Sequence, residues 1–203
     1  MSFGKTQKPK NTVKNTKENT SKPLGKENEV ENKPRKINKK PYKILDAPNL
    51  QDDFYLNLLD WSDNNQIAVA LDSSLYVWSG CSSEVSKLYE TCQVNDYLCS
   101  VSFCEDNKVS IGNTLGQIKI FDLVKRKKVS QFEGHTGRVG SLSWTAGLLA
   151  SGSRDGTVAT WDLRDGLVTQ YKAHNQEICG LKWSPEGNYI ASGGNDNKLV
   201  IYT

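Results

Sequence analysis

Several features that define whole classes of protein are missing from this sequence. It has only two histidines, and its five cysteines include no pair at CxxC spacing. A zinc site, any other metal centre and a disulfide framework are therefore not expected. No segment approaches the ~18 consecutive apolar residues of a membrane-spanning helix, and the N-terminus lacks the apolar core of a signal peptide. We expect a protein of the nucleus and cytoplasm, with no membrane partner and no cofactor.

Motifs of the common enzyme classes are missing as well, including a Walker loop, a dinucleotide fingerprint and a kinase signature. One pattern remains, a His, a Ser and an Asp, and it occurs twice: His135, Ser151 and Asp155, then His174, Ser192 and Asp196. These residue types form hydrolase triads, but an enzyme has little reason to build its nucleophile twice. A repeated structural unit, in contrast, needs its internal brace in every copy. We expect no catalytic residues, and a hydrolase stays as the alternative.

Charge divides the chain in two. Residues 1–43 hold 13 of the 26 Lys and Arg but only four of the 23 Asp and Glu, a net charge of +9, whereas residues 44–203 carry −6. The first segment also has few large apolar side chains, so burial cannot offset the entropy lost on ordering it. We predict a disordered Lys- and Asn-rich tail over residues 1–43. Such tails are commonly solvated or serve as import signals, and no nucleic-acid partner is expected.

The remainder of the chain repeats itself. From residue 57 onward, short apolar alternations are interrupted by Gly, Asn, Asp and Ser, which is typical of strands joined by turns. The aromatic residues that close successive units follow one another at intervals of 43, 40 and 41 residues: Trp78, Phe121, Trp161 and Tyr202. A period near forty residues predicts an all-β repeat architecture.

The third unit shows the order of elements within one repeat. "GH" at 134–135 is followed by "SLSW" at 141–144, "SGSRDG" at 151–156 and "WD" at 161–162, an order that suits four strands in a meander. These motifs resemble those of the WD-repeat family, whose four-stranded blades form a β-propeller. The resemblance implies that residues 44–203 form about four blades of an incomplete propeller.

In WD-repeat proteins, a chain of hydrogen bonds ties the loop before the first strand of a blade to the turn between its second and third strands. The resemblance places this structural network on matching positions of the third and fourth blades: Asp155, His135, Ser151 and Trp161, then Asp196, His174, Ser192 and Tyr202. The first two blades depart from the pattern. Ala68 and Ile111 stand where the Ser is expected, and Leu115 stands where the Asp of the second blade is expected. We therefore predict that these two blades rest on packing alone.

Longer runs narrow the family: "KILDAPNLQDDFYLNLLDWS" at 43–62, "IAVALDSSLYVW" at 67–78, "GHTGRVGSLSW" at 134–144 and "QEICGLKWSPEGNYIASGGNDNKLVIY" at 176–202. Together they closely resemble the Fizzy and Fizzy-related proteins, coactivators of the anaphase-promoting complex. The resemblance implies a substrate-recognition adaptor for this ubiquitin ligase, which binds KEN and destruction-box motifs of cell-cycle regulators. Its expected partners are subunits of the complex, substrates such as cyclins, and checkpoint or pseudosubstrate inhibitors.

The resemblance also implies two recognition sites. The destruction box is expected at Leu45 and Asp46, with the carboxylate receiving the Arg of the motif. The KEN site is expected at four positions: Asp53, Phe54, Asn195 and Asn197. Each position also has a purely structural interpretation, because Asp commonly ends a loop and Asn suits the backbone of a turn.

Two features of the family are missing. No "DRYIP"-like box occurs in the tail, and the chain stops at Thr203, in the fourth of about seven expected blades and before a C-terminal Ile-Arg pair. The tail does contain the KEN triplet twice, at 17–19 and 26–28, which suggests a substrate or pseudosubstrate of its own complex. The sequence leaves open a gene fragment, a truncated non-activating paralogue, and a generic WD-repeat scaffold that reads no degrons.

Overall fold

The structure is a computed structural model that describes residues 37–104 and 107–203. Most of the predicted tail, with both KEN triplets, lies outside the described residues. Residues 37–43 are exposed and contain neither strand nor helix. The chain divides into two compact units, residues 1–44 and 45–203, and the described strands all belong to the second. Nowhere in the described ranges is there a helix with the length and apolar character needed to cross a membrane.

The described part of the second unit forms four antiparallel sheets, which confirms the prediction of an all-β chain with about four blades. The first sheet contains β1 (Leu59–Trp61), β2 (Gln66–Leu71), β3 (Ser74–Ser79) and β4 (Val85–Glu90). The second contains β5 (Leu98–Cys104), β6 (Lys108–Asn113), β7 (Gln117–Asp122) and β8 (Lys127–Glu133). The third contains β9 (Val139–Thr145), β10 (Leu148–Ser153), β11 (Thr157–Asp162) and β12 (Gly166–Lys172). The fourth has three described strands, β13 (Ile178–Trp183), β14 (Ile190–Gly194) and β15 (Lys198–Tyr202).

The sheets pack face against face in chain order. Strand β5 contacts β1 and β2, β9 contacts β5 and β6, and β13 contacts β9 and β10. One apolar cluster joins the first two sheets and includes Leu75 and Val109, and another joins the second and third sheets and includes Ile118 and Trp161. Because neighbours cover the second and third sheets on both faces, their middle strands are buried along most of their length.

The register of the first sheet corrects one sequence assignment. In the third sheet, Ser151 pairs with the residue two positions before Trp161. In the first sheet, the residue that pairs two positions before Trp78 is Val69, not Ala68. The cause is the length of the turn, because Leu71 pairs with Ser74 and leaves only two residues between the strands, one fewer than in the third sheet. Counting back from Trp78 by the same number of residues that separates Ser151 from Trp161 therefore gives Ala68, whereas the structural counterpart of Ser151 is Val69.

The prediction that the second blade rests on packing alone is wrong. Lys119 on β7 donates from Nζ to Oη of Tyr89, on β4 of the first sheet, at 2.9 Å, and the same nitrogen lies 3.6 Å from Oδ2 of Asp96, in the loop between β4 and β5. The side chains of Lys119 and Asp96 are only 8% and 0% exposed. Asp96 also accepts a hydrogen bond from Thr91 Oγ1 at 2.8 Å. A buried ion pair thus ties β7 to the loop before β5 at Lys119, which pairs across the strands with Ile111, the residue at the Ser position of the second blade.

Two tryptophans at the same repeat position differ in their polar contacts. Trp144 on β9 donates its indole N–H to Ser110 Oγ at 2.9 Å. Trp183 is its counterpart on β13, and among the described residues its buried indole N–H has no partner. The register explains the difference, because Ala150 occupies in the third sheet the position that Ser110 occupies in the second.

We therefore predict that Ala150→Ser stabilises the chain. The new hydroxyl would accept the indole N–H of Trp183 and raise the free energy of unfolding by about 0.5–1.5 kcal/mol. Ala191→Ser is the matched control, since Ala191 holds the same repeat position in the fourth sheet, which has no described sheet beyond it. Urea unfolding of both variants measures the effect, and equal changes in the two would contradict the proposed hydrogen bond.

Candidate functional site

The residues assigned to the structural network of the third sheet lie in one hydrogen-bonded chain. His135 Nε2 lies 2.7 Å from Ser151 Oγ, which also accepts the indole N–H of Trp161 at 2.7 Å. The other ring nitrogen of His135 lies 2.9 Å from Thr157 Oγ1 and 3.4 Å from Asp155 Oδ2. Thr157 Oγ1 in turn donates to Asp155 Oδ1 at 2.5 Å. The hydroxyl of Thr157, which was not predicted from the sequence, connects the ring to the carboxylate.

The fourth sheet repeats the arrangement without the threonine. His174 Nε2 lies 2.9 Å from Ser192 Oγ, and Nδ1 lies 2.8 Å from Asp196 Oδ1. Tyr202, which replaces the tryptophan, instead packs its ring against Tyr171 of the third sheet, with the ring centroids 4.3 Å apart. The network of the fourth sheet is therefore shorter and ends at Ser192.

Both networks brace loops and offer no accessible nucleophile. Ser151 and Ser192 are each 0% exposed, and each hydroxyl is already engaged by a histidine. A substrate cannot approach either oxygen in this geometry. The carboxylates of Asp155 and Asp196 accept the backbone N–H that follows each histidine, at 2.8 and 3.1 Å, and so fix the loop before the first strand of the sheet.

These contacts shift the ionisation of the two carboxylates. Burial by itself would raise the pKa of Asp155, but hydrogen bonds from His135, Thr157 and the backbone outweigh it and hold the pKa below its ordinary value of 3.8. Burial and His174 oppose each other in the same way at Asp196, and its pKa is also lowered. Both side chains therefore favour the charged form in the folded chain.

A second polar group joins distant parts of the chain. Arg138, just before β9, donates from Nη1 to Asp53 Oδ2 at 2.6 Å. Its Nε and Nη2 donate to the two carboxylate oxygens of Glu177, at 2.6 and 3.0 Å. We call Asp53, Arg138 and Glu177 the Arg138 cluster. The backbone N–H of Tyr55 and then Arg138 lower the pKa of Asp53, and Glu177 and Asp53 raise the pKa of Arg138.

The Arg138 cluster connects residues that the resemblance assigned to the KEN site. Phe54 follows Asp53 directly and is 87% exposed. The backbone N–H of Asn195 donates to the carbonyl of Glu177 at 2.9 Å, and its side chain donates to Gln176 Oε1 at 2.8 Å. Asn197 is exposed in the same turn, with a positive φ of 59° that Asn tolerates well. Asp53 and the asparagine turn are therefore linked through Arg138 and Glu177.

Leu45 and Asp46, assigned to the destruction box, line a different cleft. The cleft lies on the face of the first sheet that the second sheet does not cover, and its apolar lining includes Val69, Tyr76 and Trp78. Residues 45–48 form one wall of this cleft. Leu45 is 44% exposed, and Asp46 is exposed with no ion pair among the described residues.

Sequence reasoning missed Arg138 and Glu177, although the repeat contained a signal for the pair. Arg138 immediately precedes β9 and Glu177 immediately precedes β13, so the two residues occupy the same position in consecutive units. Opposite charges at one repeat position of neighbouring blades favour an ion pair between them. No such periodicity indicates Asp53, which lies before the first sheet.

We expect Asp155→Ala to lower the free energy of unfolding by about 1–3 kcal/mol at neutral pH, because it leaves buried donors of the third sheet without their acceptor. Asp165→Ala, which removes an exposed turn carboxylate from the same sheet, should change it by less than ~0.5 kcal/mol. Urea unfolding of both variants measures the difference. Equal losses would contradict the assignment of Asp155 to the network.

The pH dependence gives an independent check. Because the pKa of Asp155 is lowered in the folded chain, its contribution to stability is present above the ordinary value of 3.8 and is lost as the pH falls through the folded-state pKa. The difference in the free energy of unfolding between wild type and Asp155→Ala should therefore become smaller below about pH 4. A gap that stays constant down to the acid unfolding transition would argue against a charged Asp155 as the acceptor.

Comparison with known proteins identifies the family. The WD domain, G-beta repeat family matches residues 126–162 and 166–203. Protein FIZZY-RELATED 1 of Arabidopsis thaliana is 47% identical over 172 residues, which are 83% of this chain and 36% of that protein. The B-type cell cycle switch protein ccs52A of Medicago truncatula is 46% identical with the same coverage, and the anaphase-promoting complex subunit cdh1 of Dictyostelium discoideum is 45% identical over 83% of this chain and 23% of its own length. The chain thus spans between 23% and 36% of the length of these curated relatives.

Solved structures agree with these matches. A chain in the crystal structure of the mitotic checkpoint complex superimposes with a TM-score of 0.79 and 42% identity, covering 83% of this chain and 54% of that one. The computationally designed protein Ika8, 23% identical with a TM-score of 0.59 over 71% of this chain and 44% of its own, shares the fold. On these identities and on its repeats, the chain belongs to the Fizzy and Fizzy-related family of WD-repeat proteins.

Proposed function

We propose that this chain belongs to a substrate-recognition coactivator of the anaphase-promoting complex and that it reads KEN and destruction-box motifs. The observation that carries the proposal is the Arg138 cluster, which links Asp53 to the turn of Asn195 across the loop ends of the sheets. The two halves of the expected KEN site come from opposite ends of the repeat array, so the site requires such a link.

The chemistry around the Arg138 cluster suits a KEN peptide. The cluster contains two carboxylates and one guanidinium, so it keeps one net negative charge for the lysine of the motif. The exposed ring of Phe54 offers an apolar wall beside it. Asn195 and Asn197 offer paired donors and acceptors for the asparagine side chain of the motif.

The cleft on the first sheet suits the destruction box. An apolar side chain of the motif would enter between Leu45 and the wall that contains Val69 and Trp78. The carboxylate of Asp46 stands at this cleft without an ion pair among the described residues, and it would receive the Arg of the motif. The proposed partners are subunits of the ligase, cyclin-like substrates, and checkpoint or pseudosubstrate inhibitors.

A titration with two peptides tests the proposal. We expect Asn195→Ala combined with Asn197→Gly to weaken binding of a KEN peptide about tenfold and to leave a destruction-box peptide within about twofold. Gly is chosen at 197 because it accepts the positive φ of that turn. Leu45→Ser with Asp46→Asn should show the reverse pattern, because these residues line only the other cleft.

Asn64→Ala is the matched control, since it lies in the turn between β1 and β2, at the opposite end of the sheets. Fluorescence anisotropy with labelled peptides measures all affinities, and thermal unfolding checks that the variants remain folded. If wild type binds neither peptide, the chain is better described as a generic WD-repeat scaffold. If both peptides lose affinity equally in both variants, the two motifs do not have separate sites.

A further inference from the structure

Arg138 is the described side chain that holds residues 53–55 against the third and fourth sheets through charged hydrogen bonds. It uses Nη1 for Asp53 and both remaining nitrogens for Glu177, and the guanidinium also lies 5.7 Å from the ring centroid of Tyr55. Its side chain is 19% exposed, so these contacts are partly shielded from water. Charge-assisted and bidentate bonds of this kind are among the stronger polar contacts in proteins.

The segment that Arg138 holds has little support of its own. Residues 53–55 belong to no strand, and Leu56 bonds back to Asp53 only within a local turn. The first ladder-like pairing begins at Asn57, which bridges to Ser100 and donates its side-chain amide to the carbonyl of Gly140 at 2.5 Å. The position of Asp53 and Phe54 therefore depends on contacts made outside their own sheet.

Backbone geometry at Gly140 supports the same contact. A Cβ atom at this position would lie 2.8 Å from the carbonyl oxygen of Tyr55, closer than real Cβ atoms approach. Glycine therefore permits the segment to lie against the start of β9, next to Arg138. Two independent features near the start of β9, the Arg138 side chain and the lack of a side chain at Gly140, accommodate the same segment, residues 53–55.

We propose that Arg138 is the positioning residue of the peptide site: it fixes Asp53 and Phe54 relative to the turn of Asn195, and it sets the net charge that a lysine meets there. This inference rests on the proposed function. Arg138 touches Asp53 directly, and it touches the asparagine turn only through Glu177, whose carbonyl accepts the Asn195 N–H. It acts on the peptide through these neighbours and makes no contact with the peptide itself.

Substitution of Arg138 by lysine separates the effect of hydrogen-bond geometry from the effect of charge. Lysine carries the same charge but has a single terminal nitrogen, so it cannot bond Asp53 and both oxygens of Glu177 in the same arrangement. Arg138→Lys therefore loosens the segment and preserves the net charge of −1. Asp53→Asn is the complementary variant, since it removes one limb of the cluster and leaves the Arg138–Glu177 pair intact with no net charge. Arg164→Lys, at an exposed turn of the third sheet, is the matched control.

Hydrogen exchange and peptide titration together test the inference on the full chain. In Arg138→Lys we expect the amides of residues 54–57 to exchange about tenfold faster, with β9 to β11 unchanged, and KEN affinity to fall about tenfold while destruction-box affinity stays within twofold. Asp53→Asn should lower KEN affinity at least as much. It should also reduce the affinity difference between the KEN peptide and a peptide with Ala in place of its Lys, because the net charge is gone. Arg164→Lys should match wild type in every measurement.

The outcomes separate the inference from the proposed function. Unchanged exchange of residues 54–57 in Arg138→Lys overturns the positioning role, whether or not the peptides bind. Faster exchange with unchanged KEN affinity also overturns it, because the segment would then be irrelevant to recognition. Faster exchange in a chain whose wild type binds no KEN peptide overturns the proposed function, and leaves Arg138 only as the residue that orders this segment.

Discussion

Each sheet in this chain is buried only as far as its neighbours cover it. A sheet of four strands has two faces, and the second and third sheets are covered on both, which explains why their middle strands are almost entirely buried. Polar groups enclosed between the faces must then find partners there. The chain meets this requirement in two ways: a His–Ser–Trp chain inside the third sheet, and a buried Lys119–Asp96 pair between β7 and the loop before β5.

The repeat signal and the WD-type motifs predicted the four sheets and the His, Ser and Asp residues of both histidine networks, because those motifs recur at a fixed period. Thr157 was not predicted, since it belongs to none of these motifs, and Tyr202 was expected in the fourth network but packs on Tyr171. The register of the first sheet was misjudged, since a turn shorter by one residue moves every position before it and places Val69 where Ala68 was expected. Lys119 and Asp96 were not predicted because they match no motif and only the fold brings them together, 23 residues apart in the sequence. Arg138 escaped notice for a similar reason, as its partner Asp53 lies 85 residues away and outside the repeats.

The two proposed recognition sites share one short stretch of chain. Residues 45–48 line the cleft on the open face of the first sheet, and residues 53–55 lie against the Arg138 cluster at the loop ends. The sheets supply a rigid frame for both proposed sites. Residues 45–48 and 53–55 supply the side chains that give the two sites their different chemistry. This division supplies an apolar cleft and a charged site with side chains from segments that belong to no strand.

The bond between Asp53 and Arg138 also has a consequence for the order in which the molecule folds. It closes a loop of 85 residues, and its completion by Glu177 requires another 39. Hairpins within each sheet involve much shorter loops and form earlier, since the entropic cost of closure grows with loop length. During synthesis the ribosome releases Asp53 long before Glu177. The Arg138 cluster therefore stays incomplete until the residues just before the fourth sheet have been made. The proposed peptide site then assembles later than the hairpins of the first three sheets, and a nascent chain that lacks Glu177 does not yet contain the complete Arg138 cluster.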